Sequence, residues 1–597
     1  MCMTKANQSE LLSVAIVVIV VTAGCTTVSA QQRQLGVGTP ECPVVVPYRT
    51  GEYDGPVNQP VHISAARREL EPFMLYVLGG QGGVKNARVS VSSLTRDDGR
   101  GAIGVNHIQV APMTYVKAST HGPTTDPSLA LEAAALRYAK EAFVPRILRP
   151  DVQRFDVPAG ARQAVWVTVD VPPTAAPGTY SGTVTVQAES ATAHIPVKLL
   201  VRGFTLPEIP SMPAYTHWSP YSKQRADKGN PLPYPQDICD KHARFIIRQR
   251  WRVGRIYQKW NDSVPFPGAG TVRRWVSWGG RGINLMRVDT AGRGELTTDP
   301  ETGNKVLKDE YLEQCWKLLD DRIAGIKQAG LLDFCYLYGF DERPRGEVSV
   351  ISDAFGRAKA RYGDITTMVP SCEWTALEEP QLKNVDIMGY TTHLLSPELR
   401  DLHHRRGERI IWYNISRAGM VGSRVQFWAT YKDNLDGVLF YNMAADGSVR
   451  PLTEDHFPLL DRTDRAPMQY LAGGPTSTTI LEMWREGLED ADYLALLREQ
   501  LDRVKAATKG KDTSKELRRL IARAEYYGSV PDSVTRGKFA EAGIYQTYRP
   551  LWDALGHEEC RRIEAALVVK SSTDSMAHIV YVRSRVAESI EALSKIE

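Results

Sequence analysis

Between residues 40 and 208 apolar and polar positions alternate in short runs: Phe73-Met-Leu-Tyr-Val, Ala87-Arg-Val-Ser-Val-Ser, Ala164-Val-Trp-Val-Thr-Val, Gly182-Thr-Val-Thr-Val and His194-Ile-Pro-Val-Lys-Leu-Leu-Val. A period of two sends successive side chains to opposite faces, so these runs predict the strands of a β-sandwich. Val171-Pro-Pro-Thr-Ala-Ala-Pro-Gly-Thr-Tyr180 supplies the prolines and glycine of a link between strands. The cluster Gly79-Gly-Gln-Gly-Gly83 follows no βαβ pattern and lacks a Lys-Ser/Thr ending, so it reads as a sandwich turn and not a phosphate loop. Phe204-Thr-Leu-Pro-Glu-Ile-Pro210 cannot continue a central strand and marks the domain boundary.

From 212 to 470 the pattern changes to strand and helix in alternation, which predicts a parallel sheet wrapped by helices. Eight strands are expected: Ala214 to Trp218, Val253 to Trp260, Gly282 to Val288, Phe334 to Phe340, Ile365 to Pro370, Val385 to Thr391, Arg409 to Asn414 and Gly437 to Asn442. Helices are expected at Tyr311 to Ala329 and Val348 to Arg361 among others. Eight such units in roughly 260 residues fit a (β/α)8 barrel. Residues 476–597 carry helix-period runs, opening with Thr479 to Glu499, and predict a helical domain. Gly487 within that run costs about 1 kcal/mol against alanine and signals a close approach to the barrel.

The first 30 residues read as a processing segment: Lys5, the apolar run Leu11 to Val21, then Thr22-Ala-Gly-Cys25. They resemble a bacterial lipoprotein signal with Cys25 as the lipidated residue, and ordinary secretion is the competing reading. The run is shorter than the ~20 residues of a spanning helix, so a membrane is expected as a partner only through the lipid anchor. Export to the cell envelope, the periplasm or the medium follows. Lys plus Arg number 73 against 69 Asp plus Glu, with signs interspersed, which argues against nucleic acid. Cys42, Cys239, Cys315, Cys335, Cys372 and Cys560 are scattered without ligand spacing. Cys335 and Cys372, in apolar runs, are expected as buried free thiols. His393 and the pair His403-His404 lack a third ligand at a useful spacing, so no metal is expected and the pair is assigned to a solvated helix. No cofactor is expected either.

The candidate chemistry lies at Phe334-Cys-Tyr-Leu-Tyr-Gly-Phe-Asp-Glu342, an apolar strand ending in two adjacent carboxylates at what would be the functional face of a barrel. The competing view is a solvated acidic turn paired with Arg343 and Arg345. By the same strand-end rule Trp218, Trp260, Tyr390, Trp412, Tyr413, Asn414, Tyr441 and Asn442 are candidate sugar contacts, with barrel packing the alternative for each aromatic. Arg485 and Glu486, heading the C-terminal run, read as an interdomain or surface ion pair.

The order of sandwich, barrel with a Phe340-Asp-Glu342 tip, and helical tail opening with Met483-Trp-Arg-Glu-Gly-Leu-Glu-Asp-Ala-Asp-Tyr-Leu494 resembles glycoside hydrolase family 123, as does Ala176-Pro-Gly-Thr-Tyr-Ser-Gly-Thr-Val184. The resemblance implies an exo-acting, retaining β-N-acetylgalactosaminidase that uses the substrate's own acetamido oxygen as nucleophile, an exception to the two-carboxylate schemes. It implies Glu342 as general acid and then base, and Asp341 as the ionised acceptor of the acetamido N–H. Tyr390 or Tyr413 would hydrogen-bond the acetamido carbonyl, and Trp412 would wall its methyl. The partner implied is a glycan with a terminal N-acetylhexosamine. This chain has Arg343 where a proline often follows the acidic pair, so a glycosidase acting on another glycoside stays open, as does a non-catalytic glycan-binding lipoprotein of the same fold.

Overall fold

The structure, a computed structural model, describes residues 35–43, 53–117, 143–218, 235–257, 266–289, 296–415, 419–444, 467–471, 473–531, 534–535 and 572–596. The proposed leader with Cys25, and Trp260 and Cys560, lie outside them. Residues from Leu35 onward form one compact unit.

The sandwich forms as expected. One sheet has the order Val37–Gly38, Leu70–Leu78, Arg162–Asp170, Ile108–Lys117, Phe143–Leu148, and the other runs Val61–Arg67, Thr192–Thr205, Gly178–Gln187, Val84–Val91, Phe155–Val157. Leu75, Val77, Val165 and Val167 of the first meet Val184, Ile195, Val197 and Leu199 of the second in one core. The turn at 79–83 joins Leu70–Leu78 to Val84–Val91, as read from its glycines. Thr192–Thr205 keeps the alternation of a half-exposed strand, whereas the stretch from Leu70 to Val77 is buried without a break. The reason is a second cover: Met74, Tyr76 and Trp166 pack outward against residues of the C-terminal helices Thr479–Thr508 and Ser572–Leu593.

The second body is a parallel sheet of seven strands in the order Ala214–Trp218, Val438–Ala444, Arg409–Tyr413, Ile387–Tyr390, Thr366–Ser371, Cys335–Tyr338, Ile283–Arg287. Helices such as Gln236–Arg248, Asp309–Gln328 and Val348–Tyr362 alternate with the strands. Tyr215 on the first strand of that path and Tyr336 on the sixth have ring centroids 5.6 Å apart, so the sheet curls upon itself. The expected strand Val253–Trp260 is not a strand over its described residues. Its place between the outermost strands is taken by irregular chain: Arg252 N donates to Ala214 O (2.7 Å) and Val253 N to Arg281 O (3.1 Å). Side chains replace the rest of the ladder, with Trp218 Nε1 donating to Val253 O and Asn284 Nδ2 to Arg255 O. Two hairpins, Leu296–Thr298 with Lys305–Leu307 and Met468–Leu471 with Gly474–Ser477, were not anticipated.

Helix Thr479–Thr508 enters through a Thr478 cap and is buried on every side from Thr479 to Leu494. A Cβ on Gly487 would stand 2.3 Å from the Phe427 ring and 2.9 Å from Arg424 O, which is the close approach its sequence position signalled. Arg485 and Glu486 pair with each other in the interior of the junction, not on its surface. Around them Glu69, Glu71, Glu482, Glu486, Glu489 and Asp490 share three guanidiniums, those of Arg424, Arg485 and Arg583. Arg250 is committed to Asp492. With acid in excess, burial and then the charges of Glu486 and Glu69 push Glu71 up to about 8, against the pull of Arg583.

This junction makes stability depend on pH. A carboxyl whose folded pKa is raised stabilises fully below its unfolded value of 4.5, and the contribution is lost as pH rises through about 8. The buried histidines His217, His242 and His578 are shifted down, so they oppose the trend only below their unfolded value of 6.5. Between pH 6.5 and 8 stability, and the thermal transition with it, is therefore expected to fall, by up to about 1.4 kcal/mol per pH unit for each proton that the folded state keeps and the unfolded chain has lost. Calorimetry of Glu71→Gln should show a flatter profile; an unchanged slope would remove Glu71 from the account.

Candidate active site

Strand Cys335–Tyr338 alternates Tyr336 and Tyr338 onto the inner face of the curled sheet, where they join Tyr215, Ile256, Met368, Ile387, Ile411, Tyr413 and Leu439. Beyond it the backbone leaves strand geometry: Phe340 (φ 57°) and Glu342 (φ 52°) are both left-handed and flank Asp341. A regular strand would send adjacent side chains to opposite faces; the two left-handed residues bring both carboxylates to the inner mouth. Tyr338 Oη donates to Asp341 Oδ1 at 2.6 Å, and Tyr413 Oη donates to Glu342 Oε1 at 2.9 Å. Tyr257 lies beside both Asp341 and Tyr413, its hydroxyl pushed well above the usual range by burial and then by the charge of Asp341.

Such a conformation at a phenylalanine costs of order 1–3 kcal/mol and persists only where its surroundings enforce it. Asp289, wholly buried just past strand Ile283–Arg287, does so. Its Oδ1 accepts from Phe340 N (2.5 Å) and Arg287 Nε (3.1 Å), and its Oδ2 from Arg343 Nη2 (2.9 Å). The Phe340 ring packs edge-on against Phe355 at 5.3 Å. Trp374 Nε1 donates to Arg343 O, pinning the turn from the other side.

Arg343 and Arg345 do not neutralise the acidic pair. Arg343 is bound to Asp289 and Glu347, and Arg345 to Glu378 and Glu379. Among the described residues neither Asp341 nor Glu342 forms an ion pair, so the expected pairing of the acidic turn with Arg343 and Arg345 is absent. Burial pushes the Asp341 carboxyl above its usual range, aided by Glu342 and opposed by Tyr338, Arg287 and Tyr257. That direction runs against the expectation that Asp341 simply stays ionised. Glu342 is exposed at the mouth and Asp341 lies deeper.

The strand-end candidates divide by face. Tyr413 touches the acidic pair directly, and Tyr441 lies on the same inner face, 6.5 Å from Tyr257. Trp218, Tyr390 and Trp412 do not line the mouth: all three are buried in the core outside the sheet. Trp218 stacks on His242, the Tyr390 hydroxyl meets Ala376 N and His403 Nε2, and Trp412 Nε1 donates to Thr392 Oγ1. Parity explains this, because Trp412 and Tyr413 are adjacent and only one can face inward. Asn414 is exposed with φ 60°, and Asn442 is half-buried.

His403 is also corrected. It is fully buried between Tyr390 and Glu408 (2.7 Å), not solvated, while His404 is half-buried against Asp436. Cys335 is a buried free thiol as expected, but Cys372 stands half-exposed past strand Thr366–Ser371. Burial, Glu342, Glu373 and Asp341 push its thiol up to about 11. Tyr338, Tyr257 and Asp289 escaped the sequence reading. Asp289 follows directly on an expected strand, so the strand-end rule applied to acids would have found it.

The model of the glycoside hydrolase 123 N-terminal domain matches residues 74–188. No curated protein matches the chain in sequence. Among solved structures, a family 123 glycoside hydrolase from Clostridium perfringens, studied for glycolipid glycan hydrolysis, matches with a TM-score of 0.56 at 12% identity, over 79% of this chain and 91% of that one. A β-glucuronidase from Parabacteroides merdae covers 63% of this chain and 46% of its own at 11% identity, but its TM-score of 0.25 carries no weight. Residues 74–188 thus match the glycoside hydrolase 123 N-terminal domain, and the chain shares its fold with a family 123 glycoside hydrolase.

Proposed function

We propose that the protein is a retaining exo-β-N-acetylgalactosaminidase working by substrate assistance, exported and lipidated at Cys25, with the curled sheet acting as a (β/α)8 barrel in which residues 252–257 stand in for one strand. The observation that carries the reading is the pair of left-handed residues that aims Asp341 and Glu342 into one tyrosine-lined mouth. The C. perfringens relative, described as acting on glycolipid glycans, supports a glycan substrate.

Asp341, the deeper carboxylate, is suited to grip the acetamido N–H. Its raised pKa falls once an N–H donor and the positive charge of a forming oxazolinium face it, because both favour the ionised form. The acetamido carbonyl oxygen then attacks the anomeric carbon, with the Tyr413 or Tyr257 hydroxyl orienting it. Glu342, exposed where the aglycone leaves, donates its proton to the glycosidic oxygen and afterwards takes one from the water that opens the oxazolinium.

The test is hydrolysis of a chromogenic β-N-acetylgalactosaminide and its block by a thiazoline that mimics the oxazoline. Asp341→Asn is expected to cost roughly 10²-fold or more in kcat/KM on activated and unactivated substrates alike, since orienting the nucleophile does not depend on the leaving group. Cleavage of non-acetamido sugars without thiazoline inhibition would favour a glycosidase of other specificity; glycan binding without turnover of any sugar would favour the lectin-like alternative.

A further inference from the structure

At the end of the curled sheet opposite the acidic pair, a cleft of about 180 Å³ lies between the sandwich and the parallel sheet. Its lining is rich in arginine. Two of these are balanced: Arg248 stands 3.7 Å from Asp170, and Arg250 is paired with Asp492. Three others, Arg68, Arg252 and Arg281, have no carboxylate within ion-pair distance among the described residues. Arg68 donates to Leu206 O, and Arg281 donates to the carbonyls of Val276 and Gly280 while its guanidinium lies 4.6 Å over the Phe334 ring. The Arg252 side chain makes no hydrogen bond or ion pair among the described residues; its stem passes Gly282, where a Cβ would stand 3.2 Å from it.

Topology brings these charges together. Arg281 precedes strand Ile283–Arg287, Arg409 opens strand Arg409–Tyr413, and Arg252 is held by its backbone to Ala214 at the start of the first strand, so in a parallel sheet all stand at the end away from Asp341 and Glu342. Burial, and then the charges of Arg281 and Arg409, press the Arg252 guanidinium below its usual range. Uncompensated cations in a concave, half-buried site are a frustrated arrangement that an anion relieves. Among the acids of the cleft, Glu489 already accepts from Leu70 N and pairs with Arg485, and Glu208 remains as the nearest rival, on an exposed turn beside Gly279.

We propose that this cleft binds a tetrahedral oxyanion, phosphate or sulfate, gripped by Arg252 and Arg281 with Arg68 at its rim. Planar guanidinium forks match such oxygens two at a time, which ammonium groups do not. The volume is below the roughly 300–1,000 Å³ of pockets for organic ligands, so it suits the ion itself or the phosphate end of a small ester. The site is independent of the glycosidase reading, since it lies at the other end of the sheet and uses none of its residues.

Isothermal titration calorimetry of the whole protein at constant ionic strength in chloride buffer, with inorganic phosphate, inorganic sulfate and glycerol phosphate as titrants, tests it. Saturable binding of one ion is expected, weakened about tenfold or more by Arg252→Gln and by Arg281→Gln, as losing a charge-assisted hydrogen bond predicts. Glu208→Gln is expected to tighten binding by removing the competing carboxylate. Glycerol phosphate binding like phosphate would identify an ester site, and its exclusion a free-ion site. Should Arg252→Gln fail to fold, Arg281→Gln decides. No saturable heat with any titrant, or affinity unaltered in the folded arginine variants, overturns the proposal.

Discussion

Glu342→Gln is expected to lower kcat/KM on a β-N-acetylgalactosaminide with a poor leaving group by roughly 10²–10⁴-fold, the usual worth of a positioned general acid. The substitution is close to isosteric. The amide oxygen can still accept the Tyr413 hydroxyl that now lies 2.9 Å from Glu342 Oε1, so the mouth keeps its shape and only the transferable proton disappears. KM should change little for the same reason. An aryl glycoside whose leaving group departs as a stable anion needs no protonation, so its first step survives; the second step still lacks a base for water, and the loss shrinks without vanishing. Kinetics on a matched pair of substrates reads this difference. Equal losses on both would take Glu342 out of proton donation and leave it a structural partner of Tyr413.

That prediction rests on a site only half written in linear order. The apolar run into Asp341-Glu342 is legible because β-favouring residues ending in two acids are unusual, and the same run also shows, by its alternation, that Tyr336 and Tyr338 share a face. What the sequence does not express is the inward aim of both acids. The left-handed turns at Phe340 and Glu342 carry no glycine signal at those positions, and they exist because Asp289, some fifty positions earlier, captures the Phe340 amide. Long-range enforcement of local strain leaves no local trace.

The misplaced aromatics fail for a related reason. Being near a strand end selects residues at the right height but not on the right side, so Trp218, Tyr390 and Trp412 were drawn in with Tyr413 and Tyr441. Counting parity from Tyr413 would have separated Trp412. At Val253–Trp260 the apolar pattern predicts a strand, whereas the described part is irregular chain held by the side chains of Trp218 and Asn284. The buried charges of Thr479–Leu494 are the converse case: a helix that reads as amphipathic is covered on all sides, because three parts of the chain meet on it.

The second large effect is expected at Asp289. Replacing it by alanine would take the Asp289 carboxylate from Arg287 and one of two carboxylates from Arg343, whose side chains are only 5% and 8% exposed, and leave the Phe340 N–H without its acceptor. Removing one member of a buried charge network typically costs about 3–5 kcal/mol, because the remaining charges stay desolvated. Part of that cost should be avoided by relaxation: without its anchor, Phe340 can return to extended geometry and release the strain of its left-handed conformation. Relaxation of that kind rotates the following peptide and turns Asp341 out of the mouth. Asp289→Ala is therefore expected both to lower the thermal transition, read by calorimetry, and to lower kcat well below that transition, where the protein is still folded. Asp289→Asn separates the two effects. Its amide oxygen can still take the Phe340 N–H while its NH₂ faces a guanidinium, so it should remain destabilised yet recover a larger share of kcat than alanine does. A folded Asp289→Ala enzyme with undiminished kcat would mean that the turn at Phe340 holds itself, and that the aspartate serves only to bury Arg287 and Arg343.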